Sequence, residues 1–276
     1  MAESAFSSLV WGRPYAYPTF ARMSDLRLID LNLIYTIKEK ILPVNGYVSS
    51  YTETVSPSSP ILDPDTGEQV TPYQLTYKDL FYYNPDPSNP SLSGLSTVPT
   101  LSTTTGLFKI DYPNGVVYFS GFETAPITAT YDYYTVYVQD GFPEQYEDLY
   151  DLEHIPSPMV SVDFVKRENT PFALGGKYSE DRIFVINVLA NSDPQRDDLM
   201  DILETSLRYT YTQTIDYNNG FPILYNGTLN SGFDRGPANK WCPIRFSTVN
   251  SRVIRDPSLP DKLRHQGLLV LDIETN

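Results

Sequence analysis

The sequence predicts an α+β fold: an antiparallel sheet with two packed helices, interrupted by an inserted all-β domain. Three observations carry this. Residues 182–211, RIFVINVLANSDPQRDDLMDILETSLRYTY, read as a buried strand, a polar turn and an amphipathic helix. From Tyr47 to about Glu153 the texture changes to short alternating and aromatic runs joined by Pro, Ser, Asn, Asp and Thr. The chain also holds 23 prolines and 22 tyrosines against only 20 lysines and arginines, a balance that favours many short strands over long helices.

Residues 1–23 carry Phe6, Trp11, Tyr15, Tyr17 and Phe20 among small residues and prolines, with neither a helical nor an alternating period. They read as an extended arm. Exposed aromatics on such a segment need cover, either from the same domain or from a neighbouring subunit. Ser24 then caps a helix of roughly seventeen residues that ends at Pro43 and Gly46. Its apolar positions, among them Leu26, Ile29, Leu33, Ile34, Ile37 and Ile41, cover more than one face, which predicts a helix sandwiched between two surfaces.

Inside the β region the expected strands are 70–83, 107–112, 116–120 and 127–138. Asn114-Gly115 lies between two alternating runs, the strongest short-range hairpin signal. In 127–138, Ile127, Ala129, Tyr131, Tyr133, Thr135 and Tyr137 share one face. Residues 85–105 have no period and read as a long surface loop. Val160, Val162 and Phe164 then alternate in a strand, and Arg182–Ala190 is apolar enough to be a central one. At the following turn Ser192 or Asp193 can cap the helix, Pro194 fits its first turn, and Gln195 stands at capping-box spacing from Ser192. Leu199, Ile202, Leu203 and Leu207 fall on one face of it, with Arg196, Asp197, Asp201, Glu204 and Arg208 largely on the other. Residues 244–253 and 267–273 supply closing strands. The expected organisation is therefore an arm (1–23), an α+β core (24–46 and 154–276) and an inserted β domain (47–153).

The 41% hydrophobic content supports a real core, and a net charge of −14 argues against non-specific nucleic-acid wrapping. Cys242 is the single cysteine, so no internal disulfide or cysteine-based metal site is expected. No apolar run approaches membrane-spanning length, and the N-terminus lacks the basic head of a signal peptide, which makes the cytoplasm the expected place of synthesis. Asp63-Pro64-Asp65-Thr66-Gly67-Glu68 invites a calcium reading, yet its glycine comes fifth rather than sixth and Pro64 stiffens its start; a turn between strands is the better reading. His154 and His265 stand apart from any nucleophile or ligand pattern, and no phosphate loop or nucleophile elbow is present. The acidic run 144–153 reads as a solvated linker rather than paired catalytic carboxylates. No enzymatic activity, cofactor or metal is expected. Tyrosine-rich strand faces suit either core and interface, which strands select for, or a platform that stacks sugars.

The strand and helix of FVINVLANSDPQRDDLMDIL, the following turn IDYNNGFP, and the hairpin LFKIDYPNGVVYFSG with ITATYDYYTV resemble the tail-terminator and related neck, or head-tail connector, proteins of tailed bacteriophages. The resemblance implies a structural virion protein forming a ring, of hexameric type, between the portal-adaptor complex and the tail tube or sheath. DNA would pass through its lumen unbound, which an acidic chain permits. Under it, Trp11, Tyr15, Tyr17 and Phe20 of the arm and Arg196, Asp197 and Asp198 at the helix start become candidate subunit-interface residues. The alternative is a carbohydrate- or receptor-binding β module of a phage tail or baseplate.

Overall fold

The computed structural model describes residues 33–85, 88–140, 158–171, 178–208, 211–213, 222–224, 226–233, 241–253 and 265–275. They show the mixed α+β content that the sequence predicts. The chain divides into two compact units. One takes in the described parts of Leu42–Thr135 and Asn219–Phe233, the other those of Val136–Asn218 and Asp234–Asn276 together with 33–41.

The first unit is built from two antiparallel sheets. Strands β1 (Val48–Val55), β7 (Ile127–Tyr134) and β4 (Thr100–Leu101) form one, in the order β1-β7-β4. Strands β2 (Ile61–Leu62), β3 (Gln69–Gln74), β6 (Val116–Ser120) and β5 (Leu107–Asp111) form the other, in the order β2-β3-β6-β5. Alternation decides the faces: Ile127, Ala129 and Tyr131 of β7 are buried while Thr128 and Thr130 are exposed. Val55, Tyr73, Val117, Phe119, Ile127, Ala129 and Tyr131 from both sheets share one apolar cluster with Leu80 and Phe81. Most of its bulk is aromatic, with Tyr73 against Phe119 at 5.3 Å and Phe81 against Tyr134 at 5.5 Å, both edge to face.

The hairpin at Asn114-Gly115 forms where expected. Gly115 has φ 62, and a Cβ there would run into the Tyr77 carbonyl oxygen, so only glycine fits. Asp111 closes the turn by accepting from the Asn114 N–H (3.2 Å) and from its side-chain amide (2.7 Å).

Three expectations need correcting. The run 70–83 is a strand only to Gln74: Leu75 donates to the Gly115 carbonyl, Asp79 turns left-handed (φ 58), and Leu80 pairs with Tyr133 of the other sheet. The aromatic run thus crosses between sheets, and its continuing apolar character reflects a shared core. The run 127–138 breaks after Tyr134, because Thr135 donates to Tyr47 of the first unit whereas Tyr137 donates to Pro158 of the second. Residues 85–105 are not featureless. Asn89 caps a 3₁₀ turn at Pro90–Leu92, Leu92 is buried, and β4 pairs with β7.

A remote segment completes this unit. Ile223 is buried in the aromatic cluster, Leu229 packs against it, and the two form a β-bridge. Gly227 accepts from the Tyr112 N–H (2.9 Å) with φ 85, and any Cβ there would overlap the Asp111 carboxylate.

The second unit is a six-stranded sheet in the order β11-β12-β13-β10-β9-β8. Its strands are β8 (Tyr137–Asp140), β9 (Met159–Pro171), β10 (Tyr178–Ala190), β11 (Tyr211–Gln213), β12 (Trp241–Val253) and β13 (His265–Thr275). All neighbours are antiparallel except β8 and β9, which are parallel. Both β10 and the closing strands run longer than their apolar cores suggest. The helix α1 (Asp193–Arg208) packs on β10, β12 and β13. Gly267 of β13 pairs with Val188 of β10, and a Cβ there would collide with Met200 of the helix; the missing side chain lets helix and sheet close up. Residues 33–35 are α-helical and Thr36–Ile41 π-helical, a piece that packs on α1. Leu33, Ile34, Tyr35, Ile37 and Ile41 are all buried, consistent with a helix covered on more than one side. The helix stops before Pro43, and Gly46 (φ 82) closes the turn. Its expected cap, Ser24, lies outside the described residues. No helix among the described residues is long and apolar enough to cross a membrane.

Candidate functional site

At the start of α1 the backbone and side chains lock together. Ser192 Oγ accepts from the Gln195 N–H (3.4 Å), and Gln195 reaches back to the Asn191 N–H (2.9 Å), a capping box offset by one residue. Leu199, Leu203 and Leu207 are buried as expected, joined by Met200, while Ile202 is only half-buried. Arg196 departs from the sequence reading. It lies on the packed side of the helix, 6% exposed, and its guanidinium donates to Asp193 (2.6 Å) and Asp197 (2.9 Å). A guanidinium tolerates burial when its donors are spent on carboxylates. His265, at the first position of β13, lies with Nδ1 3.0 Å from the same Asp193 oxygen. The His265 hydrogen bond, opposed by burial and aided by the Arg196 charge, holds the Asp193 carboxyl below its ordinary range. An ionised carboxylate only accepts, so His265 carries its hydrogen on Nδ1. The cluster ties the helix start to the sheet and leaves Asp197 and Asp198 facing solvent.

The acidic turn between β2 and β3 has its cation built in. Asp63 is buried, and its carboxylate accepts from the Thr66 N–H (3.1 Å), the Thr66 hydroxyl (3.0 Å) and the Lys109 ammonium. Asp65 stands 3.6 Å from the same ammonium, which also lies 5.0 Å from the Tyr118 ring centre. Burial alone would raise the Asp63 carboxyl; Lys109 and Thr66 outweigh it and hold the group low. The alternate carboxylates that suggest calcium therefore converge on a lysine of β5, and Gly67 (φ 72) completes a turn. Among the described residues no group of three or more His, Cys, Asp or Glu is placed to hold a metal ion.

Glu53 of β1 is likewise closed within the chain. It accepts from the Tyr131 hydroxyl (2.6 Å), the Thr76 hydroxyl (2.6 Å) and the Thr76 N–H (2.8 Å). Burial raises its carboxyl, but the Thr76 and Tyr131 hydrogen bonds prevail and the net shift is downward. Beside it, Tyr77 stacks on Tyr133 at 4.0 Å and meets Tyr51 edge-on at 4.9 Å. Tyr51 is the exposed member at 39%, whereas Tyr73, Tyr82, Tyr112, Tyr131 and Tyr134 are core.

The remaining feature is an edge. β1 is the outer strand of its sheet, pairs with β7 through eight residues without a register shift, and among the described residues nothing pairs with its other side. It contains no lysine, arginine, proline or bulge. Its solvent face instead carries threonines, with Thr52 on Thr130 (2.9 Å) and Thr54 on Thr128 (3.4 Å). The other edges are guarded by the usual devices: β2, β4, β8 and β11 are two to four residues long, and β5 has both a bulge and Lys109.

Of the residues singled out from sequence, Arg196, Asp197 and Asp198 come together at the start of α1, the first of them held inside its own unit. Trp11, Tyr15, Tyr17, Phe20, His154 and residues 215–221 of the turn motif IDYNNGFP lie outside the described residues. Sequence reasoning missed the roles of His265 and Lys109, since each gains its partner from a segment distant in the chain, the start of α1 for one and the turn after β2 for the other. No family model matches the chain, and no curated protein sequence matches it.

Proposed function

We propose that this chain is a structural virion protein of a tailed phage, a homo-oligomeric ring of hexameric type in the neck that joins the portal-adaptor complex to the tail tube or sheath. The observation that carries the reading is the contrast between closed polar clusters and an open strand edge. Asp63, Glu53 and Asp193 are each neutralised or hydrogen-bonded by their own chain, which suits a structural role. The eight-residue edge of β1 offers backbone groups to a neighbour. The sequence resemblance supplies the place in the virion. Light scattering on the purified protein should give a discrete ring mass, and gold-labelled antibody should mark the head-tail junction. A monomer at high concentration together with unlabelled junctions would sink the proposal.

The second reading, a sugar-binding module, draws on exposed Tyr51 beside Tyr77 and Tyr133. It is the weaker because the Glu53 carboxylate that would hold a sugar hydroxyl already accepts three hydrogen bonds. Glycan-array binding lost in Tyr51→Ala would favour it over ring packing.

A further inference from the structure

The open edge of β1 calls for an occupant. We infer that it receives residues 4–11 of a neighbouring copy as an added strand, the arm of one subunit pairing with the sheet of the next; this deepens the oligomeric reading and rests on it. A strand edge of this length without lysine, arginine, proline or bulge is a template for backbone pairing. Such an edge is covered in a working assembly or becomes a site of aggregation.

The chain itself supplies a fitting segment. Residues 4–11, SAFSSLVW, match β1 (VSSYTETV) in length, carry no charge and no Pro or Gly, and include Phe, Leu, Val and Trp, which strands favour. Glu3 precedes them, and Gly12, Arg13 and Pro14 follow as a natural stop. Absence of charge matters because Glu53 is the single charged side chain on β1 and is held by Tyr131 and Thr76, so the edge offers no opposite charge to select a basic strand. Main-chain hydrogen bonds would give the affinity, and alternate side chains of the arm would lie beside Tyr51 on one face and the threonine ladder on the other.

The test replaces Thr52, an exposed ladder residue, with a photo-crosslinking benzophenone amino acid in the full chain. Unlabelled and ¹⁵N-labelled protein are mixed under assembly conditions, illuminated and mapped by mass spectrometry. The expected product joins position 52 to residues 4–11 of the other isotope. A crosslink to β1 of a second copy, to the same chain alone, or to no arm residue in a sample that is oligomeric overturns the inference while leaving the ring intact. A sample that stays monomeric by light scattering instead removes the ring reading, and the inference with it. A Leu9→Pro variant, altered only in the arm, should lose at least tenfold in crosslink yield; unchanged yield also overturns the proposal.

Discussion

Lys109 is worth more to the fold than its place on a surface hairpin suggests. Lys109→Met leaves the buried Asp63 carboxylate without its ammonium, and removal of one partner from a buried pair costs about 3 kcal/mol or more. Asp63→Asn combined with Lys109→Met should recover most of that loss, which a double-mutant cycle in urea would measure. Millimolar calcium should leave the melting temperature unchanged, because the ammonium already fills the turn. The acid limb follows from Asp63, Glu53 and Asp193. All three carboxyls are held below their unfolded values, so their stabilisation is complete above about pH 4 and is lost as pH falls through the folded values. The alkaline limb comes from the tyrosine core. Burial pushes Tyr112 up to about 12, burial and the Glu53 hydrogen bond raise Tyr131, and burial and the Glu123 charge raise Tyr73. Here the stabilisation is complete below about pH 10, the unfolded phenol value, and is lost as pH rises through the folded ones. Urea midpoints between pH 3 and pH 12 should give a plateau with both shoulders. Arg196 shows the limit of reading residues singly. Helical spacing put it on the wet side, but its partners Asp193 and Asp197 lie within one turn and allow the guanidinium to be buried.

The elements divide by how local their causes are. The hairpin at Asn114-Gly115 and the start of α1 were legible because a turn glycine, a serine cap and a glutamine three residues on act over a few residues. Ser192→Ala should therefore cost about 1 kcal/mol, seen as a lower urea midpoint at unchanged slope. The break of 127–138 was not legible, since side-chain alternation continues through the point where the backbone changes partners. Nor was the length of β9 and β10, whose outer halves are polar and become strand because each pairs with the other. The burial of Arg196 also moves the test of a charged subunit contact outward. Asp198→Lys should abolish ring assembly if that surface is an interface, with melting little changed, as sizing and calorimetry would show; Asp197 is left in place because it pairs with the buried Arg196. Arg196→Met should instead lower stability by roughly 1–3 kcal/mol whatever the assembly state.

At the scale of the molecule the two units are interleaved along the chain rather than strung in series. A boundary drawn on composition, 47–153, omits the segment that returns at Asn219–Phe233. That return was illegible because PILYNGTLN has no period; its place is set by Ile223 entering a core assembled from residues a hundred positions earlier. A fragment of 42–135 alone should bind hydrophobic dye and melt without cooperativity, and the full chain should do neither. Gly227→Ala tests the same join with one methyl group. Because φ is 85 and the Asp111 carboxylate occupies the Cβ position, the variant should lose at least about 1–3 kcal/mol. The late segment also has a meaning in time. A ribosome releases the chain from its N-terminus, so the aromatic core of the first unit waits for residue 223 with one wall missing while β9, β10 and α1 emerge. Exposed tyrosine and phenylalanine surface, and with it the risk of wrong association, lasts until four-fifths of the protein has been made; synthesis rate and chaperone supply should therefore govern yield more than the stability of the finished fold.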